Sequence, residues 1–511
     1  MSNIAIELKN LTKTFGKVVA NKNVSLNVKK GEILSILGEN GSGKTTLMNM
    51  ISGIYFPDSG HIYVNGKEVT ITSPKDAFDL KIGMIHQHFK LVDIFNATEN
   101  IILGMNDGKF NIKNATERIR STCDKYGFEI DFSKKIYEMS VSEKQTIEIV
   151  KVLYRGADIL ILDEPTAVLT PQEIKKLFDV LRKMRDDGKA IIIITHKLNE
   201  VLEISDRVSV LRKGEYIGTV NTCEATEKSL TEMMVGEKIN LDISRSTPHN
   251  ITERIIVNGV DLYNREGIKV LDDISFTANS GEILGIAGIA GSGQRELLEA
   301  IAGLQKISGG EIIYTDSKTG EKENLRDKSP IQIRDLGVRL SFVPEDRLGM
   351  GLVANMGITD NMMLRSYKKG KSAFLQRKEP AELADKIIKE LNVVTPDTET
   401  PVRRLSGGNV QKVLVGREIA ASPTVLMAAY PVRGLDINSS YTIYNLLTEQ
   451  KEKGVAVIFV GEDLDVLTAL CDRILVLSSG RITGILDGRT ATKEQIGLLM
   501  TKSKDGEIVN E

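Results

Sequence analysis

The sequence predicts two tandem α/β domains, each a parallel sheet covered by helices, and three observations predict it. The 511 residues exceed what one hydrophobic core usually serves. An internal repeat runs through the chain with a period of about 250 residues. Within each repeat, short runs rich in β-branched residues and bounded by charges or Gly alternate with longer amphipathic segments, the pattern of parallel strands and covering helices.

The repeat can be followed in order. Val24-Ser25-Leu26 and Gly31-Glu32-Ile33-Leu34 return as Ile274-Ser275-Phe276 and Gly281-Glu282-Ile283-Leu284. Gly38-Glu39-Asn40-Gly41-Ser42-Gly43 returns as Gly288-Ile289-Ala290-Gly291-Ser292-Gly293. Near the ends, Ser205-Asp206-Arg207-Val208-Ser209-Val210-Leu211 returns as Leu470-Cys471-Asp472-Arg473-Ile474-Leu475-Val476-Leu477. Between the copies, Gly236 to Thr252 is polar and carries Ser244, Ser246, Pro248 and Asn250, which break both periodicities. The expected division is therefore a first domain over 1–240, a linker over 241–252 and a second domain over 253–511.

Composition narrows the function. Apolar residues are 41%, charged residues 27% and aromatics 5%, the profile of a soluble α/β protein. A net charge of −2 lacks the basic footprint of phosphate-backbone binders, so no nucleic-acid partner is expected. Apolar runs such as Ile159–Leu162, Ala190–Ile194 and Val455–Val460 fall far short of the roughly 20 residues of a membrane-spanning helix. The start, Met1-Ser2-Asn3-Ile4, has no charged region leading into an apolar stretch, so no secretory signal is expected and the chain is placed in the cytoplasm. Cys123, Cys223 and Cys471 are odd in number and lack metal-type spacing. They read as buried small apolar residues without a disulfide partner.

The chemistry begins at Gly38-Glu39-Asn40-Gly41-Ser42-Gly43-Lys44-Thr45, which fits the phosphate-loop pattern and follows an apolar strand over Ile33–Leu37. Glycines let backbone N–H groups turn inward to phosphate oxygens, and a helix beginning near Lys44 points its positive end at the same anion. Lys44 adds a full charge, and the Thr45 hydroxyl suits Mg²⁺ bridging the outer phosphates. Ile159-Leu160-Ile161-Leu162-Asp163-Glu164 is a buried strand ending in two carboxylates, Asp163 suited to Mg²⁺ and Glu164 to polarising the attacking water. Taken alone, such carboxylates also cap strands. Ile191-Ile192-Ile193-Ile194-Thr195-His196 ends in an imidazole that can reach a γ-phosphate, though a lone histidine at a strand end is more often structural than catalytic.

That set, in this order and spacing, resembles the ABC ATPase family over essentially the whole chain, twice. The resemblance implies ABC-type P-loop ATPase domains, each with a RecA-like parallel core, an antiparallel β subdomain and a helical subdomain. It further implies that Phe15 stacks on adenine, that Gln87 senses Mg²⁺ and the membrane partner, that Thr46 joins the loop in binding nucleotide, and that His196 is the switch histidine. The family's signature appears in the second half as Leu405-Ser406-Gly407-Gly408-Asn409. It is again a helix-terminus anion site, Ser406 supplying a hydroxyl and the glycines permitting close approach.

Family members close head to tail, which sorts the motifs. One expected composite site joins Gly38–Thr46, Gln87, Asp163, Glu164 and His196 with Leu405–Asn409 and the Asp436 loop, and each of these matches the family. The other expected site is degenerate throughout. Gln294 and Arg295 stand in place of Lys44 and Thr45, Ala429-Tyr430 in place of Asp163-Glu164, Glu345 in place of Gln87 and Glu462 in place of His196. The first half's signature reads Met139-Ser140-Val141-Ser142-Glu143, and Thr170 replaces Asp436. Independent drift would scatter losses over both sites, so one hydrolytic site and one structural or regulatory site are expected.

Two fused domains with this asymmetry resemble the ATPase subunits of bacterial importers for simple sugars and nucleosides. Ala167-Val168-Leu169-Thr170-Pro171-Gln172-Glu173 and Ala428-Ala429-Tyr430-Pro431 resemble the nucleoside branch, which tends to carry Gln at the position of Tyr430. The resemblance implies a peripheral protein on the cytoplasmic face of the cell membrane, using ATP and Mg²⁺ beneath two membrane-spanning permease subunits and served indirectly by an extracytoplasmic solute-binding protein. Phe89–Leu103 and Arg347–Leu364 are the expected docking segments. The alternatives are a ribose- or galactose-type importer and a soluble tandem ABC protein acting on ribosomes or DNA. Members of that last group carry two consensus sites and a basic helical linker, both lacking here.

Overall fold

The computed structural model describes residues 3–501 apart from 17, 87–88, 106–111, 167–168, 237–242, 244, 249–250, 265, 290, 336–339, 345 and 368–374. The chain divides into two compact units, Met1–Asn240 and Leu241–Asn510.

The first unit is organised by one ten-stranded sheet. Across it lie Lys67–Val69, Ser59–Val64, Ile4–Phe15, Val18–Lys29, Glu215–Asn221, Arg207–Arg212, Glu32–Leu37, Ala190–Thr195, Ile159–Asp163 and Ile82–Ile85. The last five run parallel. Every residue of Glu32–Leu37, Ile159–Asp163 and Ala190–Thr195 is buried, because helices cover both faces of a parallel sheet and leave no solvent side for polar residues. The first four are antiparallel neighbours. A smaller apolar core, including Ala97, Ile101, Ile119, Ile147 and Val150, holds the helices Ala97–Ile102, Ile112–Tyr126 and Val141–Tyr154 together as a helical section. The α/β architecture, with its parallel core, antiparallel portion and helical portion, is thus present as the sequence suggests.

The second unit repeats the parallel core in the same strand order, Leu340–Val343, Val425–Ala429, Ala456–Val460, Ile283–Gly288, Arg473–Ser478 and Arg481–Asp487, with only the last strand antiparallel. Its antiparallel portion is a separate four-stranded sheet of Lys269–Asn279, Glu253–Tyr263, Gly309–Thr315 and Lys322–Asn324. In the first unit a single bridge, Glu215 to Lys22, joins the corresponding portions into one sheet.

Part of the polar join is fastened to the second unit. Arg245 Nη1 donates to Thr468 O at 2.9 Å and to Cys471 O at 2.6 Å. Lys451 Nζ donates to Ser246 O at 2.6 Å while paired with Asp472 at 2.8 Å. Both members of that pair are buried, and Asp472 Oδ2 also accepts the Ile283 N–H at 2.9 Å, so each charge has its counter-charge and a backbone partner.

The cysteine reading needs one correction. Cys123 and Cys471 are buried and free, and burial pushes the Cys123 thiol up to about 11. Cys223 is exposed, because it lies in the single-turn 3-10 helix Thr222–Glu224, which has no apolar face to bury. Among the described residues no helix is long and apolar enough to cross a membrane.

Candidate functional site

The first unit's phosphate loop leaves the buried strand Glu32–Leu37 and enters the helix Lys44–Ile51. Gly43 sits at φ 96°, a left-handed value that suits glycine. A methyl group there would lie 2.4 Å from Ala20 O, so no side chain fits. Lys44 is buried and its Nζ donates to Gly38 O at 2.6 Å and Glu39 O at 3.0 Å, curling the loop around the ammonium. Ser42 Oγ is buried without a hydrogen-bond partner among the described residues.

The parallel sheet brings the carboxylates alongside. Thr45 Oγ1 donates to Asp163 Oδ2 at 3.4 Å, which places two hard oxygen donors together and fits Mg²⁺, an ion that takes one or two protein oxygens and the rest from phosphate and water. Burial holds the Lys44 ammonium below its ordinary value. Burial, then the neighbouring Glu164 charge, pushes the Asp163 carboxyl above its own. Each penalty falls on a charged form that a phosphate or a divalent cation would stabilise.

Glu164 itself adopts φ 50°, a conformation that costs a non-glycine residue free energy and clusters at functional sites. Its N–H donates to Ile194 O at 2.9 Å, which holds the turn. The carboxylate reaches His196, Oε1 lying 2.8 Å from Nδ1, and Oε2 is buried without a partner among the described residues. One oxygen is therefore oriented by imidazole and the other is left to accept a proton. Gln87 lies outside the described residues.

Phe15 ends its strand 44% exposed, so its ring is available for stacking. Two contacts that the sequence does not reveal set its orientation. Tyr55 meets it edge-on, with centroids 5.2 Å apart and planes at 71°. The Lys13 ammonium lies 5.6 Å from the ring centre, anchored by Phe56 O at 2.7 Å and Asp58 Oδ1 at 2.9 Å. The missed signal is Ile54-Tyr55-Phe56, an apolar run that reads as core yet is exposed at all three positions. Because aromatic pairs contribute about 0.5–1.5 kcal/mol, Tyr55→Ala is expected to raise the KM for ATP by about 2- to 10-fold with kcat kept, and Tyr55→Phe to restore it. Steady-state kinetics on the purified chain checks this.

In the second unit, Ser406 caps the helix Gly407–Ala420, accepting the Asn409 N–H at 3.4 Å and the Asn409 amide at 3.0 Å. A methyl on Gly408 would approach Ser439 Oγ to 3.1 Å and Asp436 Oδ2 to 3.3 Å, so that glycine lets the signature lie against the Asp436 loop. Leu405 packs on the core beneath. The first unit's counterpart keeps the cap, Ser140 accepting the Glu143 N–H at 3.2 Å, but Val141 and Ser142 put side chains where the glycines stand.

The degenerate loop is altered chemically while its backbone is kept. Gly293 has φ 104°. Gln294 Nε2 donates to Ile289 O at 3.1 Å, the counterpart of the bond from Lys44 to Glu39 O, without the charge. Arg295 turns along its own helix to Glu299 at 2.7 Å. Tyr430 occupies the Glu164 position at φ 48° with its N–H on Val460 O at 2.9 Å. Glu462, at the His196 position, pairs with Arg433 at 3.4 Å. Glu345 lies outside the described residues.

A family model described as ABC transporter matches residues 21–167 and 271–431. The chain is 43% identical over 508 residues to the guanosine import ATP-binding protein NupO of Bacillus subtilis (strain 168), covering 98% of each. It is 39% identical over 501 residues to the nucleoside import ATP-binding protein NupA of Lactococcus lactis subsp. cremoris (strain MG1363), covering 97% of each. It is 38% identical over 536 residues to the glucose import ATP-binding protein TsgD13 of Haloferax volcanii, covering 98% of this chain and 96% of that one.

Proposed function

Since the chain belongs to the ABC transporter family as an ATP-binding import subunit, we propose that it hydrolyses ATP at the first unit's site to drive the uptake of nucleosides. The observation that carries the ATPase reading is the grouping of Lys44, Thr45, Asp163, Glu164 and His196 around one loop in the first unit. The second unit keeps the same backbone without those groups. Lys44 and the loop N–H groups bind the β- and γ-phosphates, and Phe15 takes the adenine. Thr45, Asp163 and Gln87 would hold Mg²⁺, which would supply charge neutralisation at the outer phosphates. Glu164 accepts a proton from the attacking water while His196 steadies its carboxylate. The signature Leu405–Asn409 supplies a helix-terminus site for a γ-phosphate, and the degenerate loop serves a structural or regulatory role.

Nucleosides are favoured because relatives named for guanosine and nucleoside import precede the one named for glucose import in identity. That glucose-import relative is the specific ground for the second reading, a simple-sugar importer. Under either reading the chain works on the cytoplasmic face of the membrane beneath two permease subunits, which receive solute from an extracytoplasmic binding protein. Segments 89–103 and 347–364 face those subunits. Uptake of labelled guanosine by cells making the transporter, competed with unlabelled nucleosides, ribose and galactose, tests the assignment. Competition by nucleosides is the expected result, and competition by free sugars alone would move the chain to the second reading.

A further inference from the structure

The two units have lost different chemistry and yet retain the same fastening. In the first, Lys151 Nζ donates to Lys90 O at 3.2 Å. Asn100, 1% exposed, accepts the Val92 N–H at 2.7 Å and donates to Val92 O and Asn96 O, both at 3.1 Å. In the second, Arg417 Nη2 donates to Gly351 O at 2.7 Å. Asn361, 0% exposed, accepts the Val353 N–H at 2.8 Å and donates to Val353 O and Met356 O at 3.2 Å and to Gly357 O at 3.0 Å. Each asparagine bonds a residue eight positions earlier. Lys151 and Arg417 lie on the helices that Ser140 and Ser406 cap.

A buried amide with every bonding group on one loop makes that loop stiff, because freeing it strands several polar groups at once. The stiffened loops follow the positions of Gln87 and Glu345, and each carries exposed apolar side chains, Ile94 in the first and Val353 and Met356 in the second. A fastening kept in the unit without catalytic carboxylates, and equally in the unit without signature glycines, serves neither hydrolysis nor γ-phosphate binding. It serves something both units do.

Resting on the importer reading, in which each unit meets one membrane subunit, we infer that Asn100 and Asn361, with Lys151 and Arg417, are positioning residues for coupling. The asparagines hold each partner-facing loop rigid and Lys151 and Arg417 tie it to the helix behind the signature, so that movement of that helix reaches the membrane subunit undiminished. Without the lock the loop would yield, and ATP would be hydrolysed with little transport.

Asn361→Asp keeps the shape and the Val353 N–H bond but removes the donors to three carbonyls. In transporter recovered from membranes through a tag on this chain and placed in liposomes with labelled guanosine, ATP-driven uptake is expected to fall about 10-fold or more. The ATPase rate of the folded isolated chain is expected to hold, while its melting midpoint falls because carbonyls within the loop lose their donors. Lys151→Met, at a more accessible position, should give the same split if Asn361→Asp does not fold. Unchanged uptake in a folded variant, or parallel loss of isolated ATPase and uptake, would overturn the inference. A wild-type transporter that moves neither nucleoside nor sugar would overturn the importer reading, and this inference with it.

Discussion

Glu164→Gln is expected to lower ATP turnover by about 10²- to 10⁴-fold, the usual worth of a positioned general base, while Glu462→Ala leaves the rate within about twofold. The amide keeps the size of the side chain and can still accept the His196 contact, but it cannot take a proton at the position where Oε2 is buried without a partner among the described residues. Substrate binding should survive, because Lys44 and the loop are untouched, so the loss should appear in kcat with KM nearly unchanged. Glu462 pairs on the surface with Arg433, and Tyr430 beside it carries no carboxylate, so there is no chemistry for Glu462→Ala to remove. Phosphate release by both purified variants decides the matter. Comparable losses from both would mean that the two units share catalysis, and the asymmetry would fall.

What could be read from the sequence, and what could not, follows from how far apart the interacting residues lie. Lys44 and Thr45 belong to one contiguous pattern, and Asp163 and Glu164 end a buried strand, so their gathering around one loop could be anticipated in one dimension. The repeat disclosed that both halves carry a parallel core because hydrophobic runs recur with it, but the order of the strands appears only in the fold. Contacts across the fold were not visible. Tyr55 meets Phe15 only because the turn after the helix Lys44–Ile51 packs against the end of the strand Ile4–Phe15, and Arg245 finds its carbonyl partners more than two hundred residues onward. Backbone angles are equally silent in sequence. That Tyr430 keeps the left-handed conformation of Glu164 shows the turn to be set by the sheet around it and not by the residue it carries. Nor could the loss of Lys at 294 reveal that a neutral amide would take over one of its loop bonds.

That replacement makes Lys44→Gln the sharpest test of where phosphate binds, because it transplants the second unit's residue into the first. The loop should survive the change, since Gln294 already shows an amide holding the carbonyl that corresponds to Glu39 O. The apo protein should be at least as stable as before, because a buried ammonium held below its ordinary value is replaced by a neutral group. Affinity for ATP should fall by about 10- to 100-fold, the equivalent of one charge-assisted contact of about 1.5–3 kcal/mol, and turnover should fall with it. Thermal melting with and without nucleotide separates the two effects: an unchanged apo midpoint with a lost ATP-induced shift is the expected pair. An intact shift would mean that Lys44 does not meet phosphate, whereas a lowered apo midpoint would mean that the loop depends on the charge itself. The reciprocal Gln294→Lys should tighten nucleotide binding at the second unit without restoring hydrolysis, because the Glu164 and His196 positions there hold Tyr430 and Glu462.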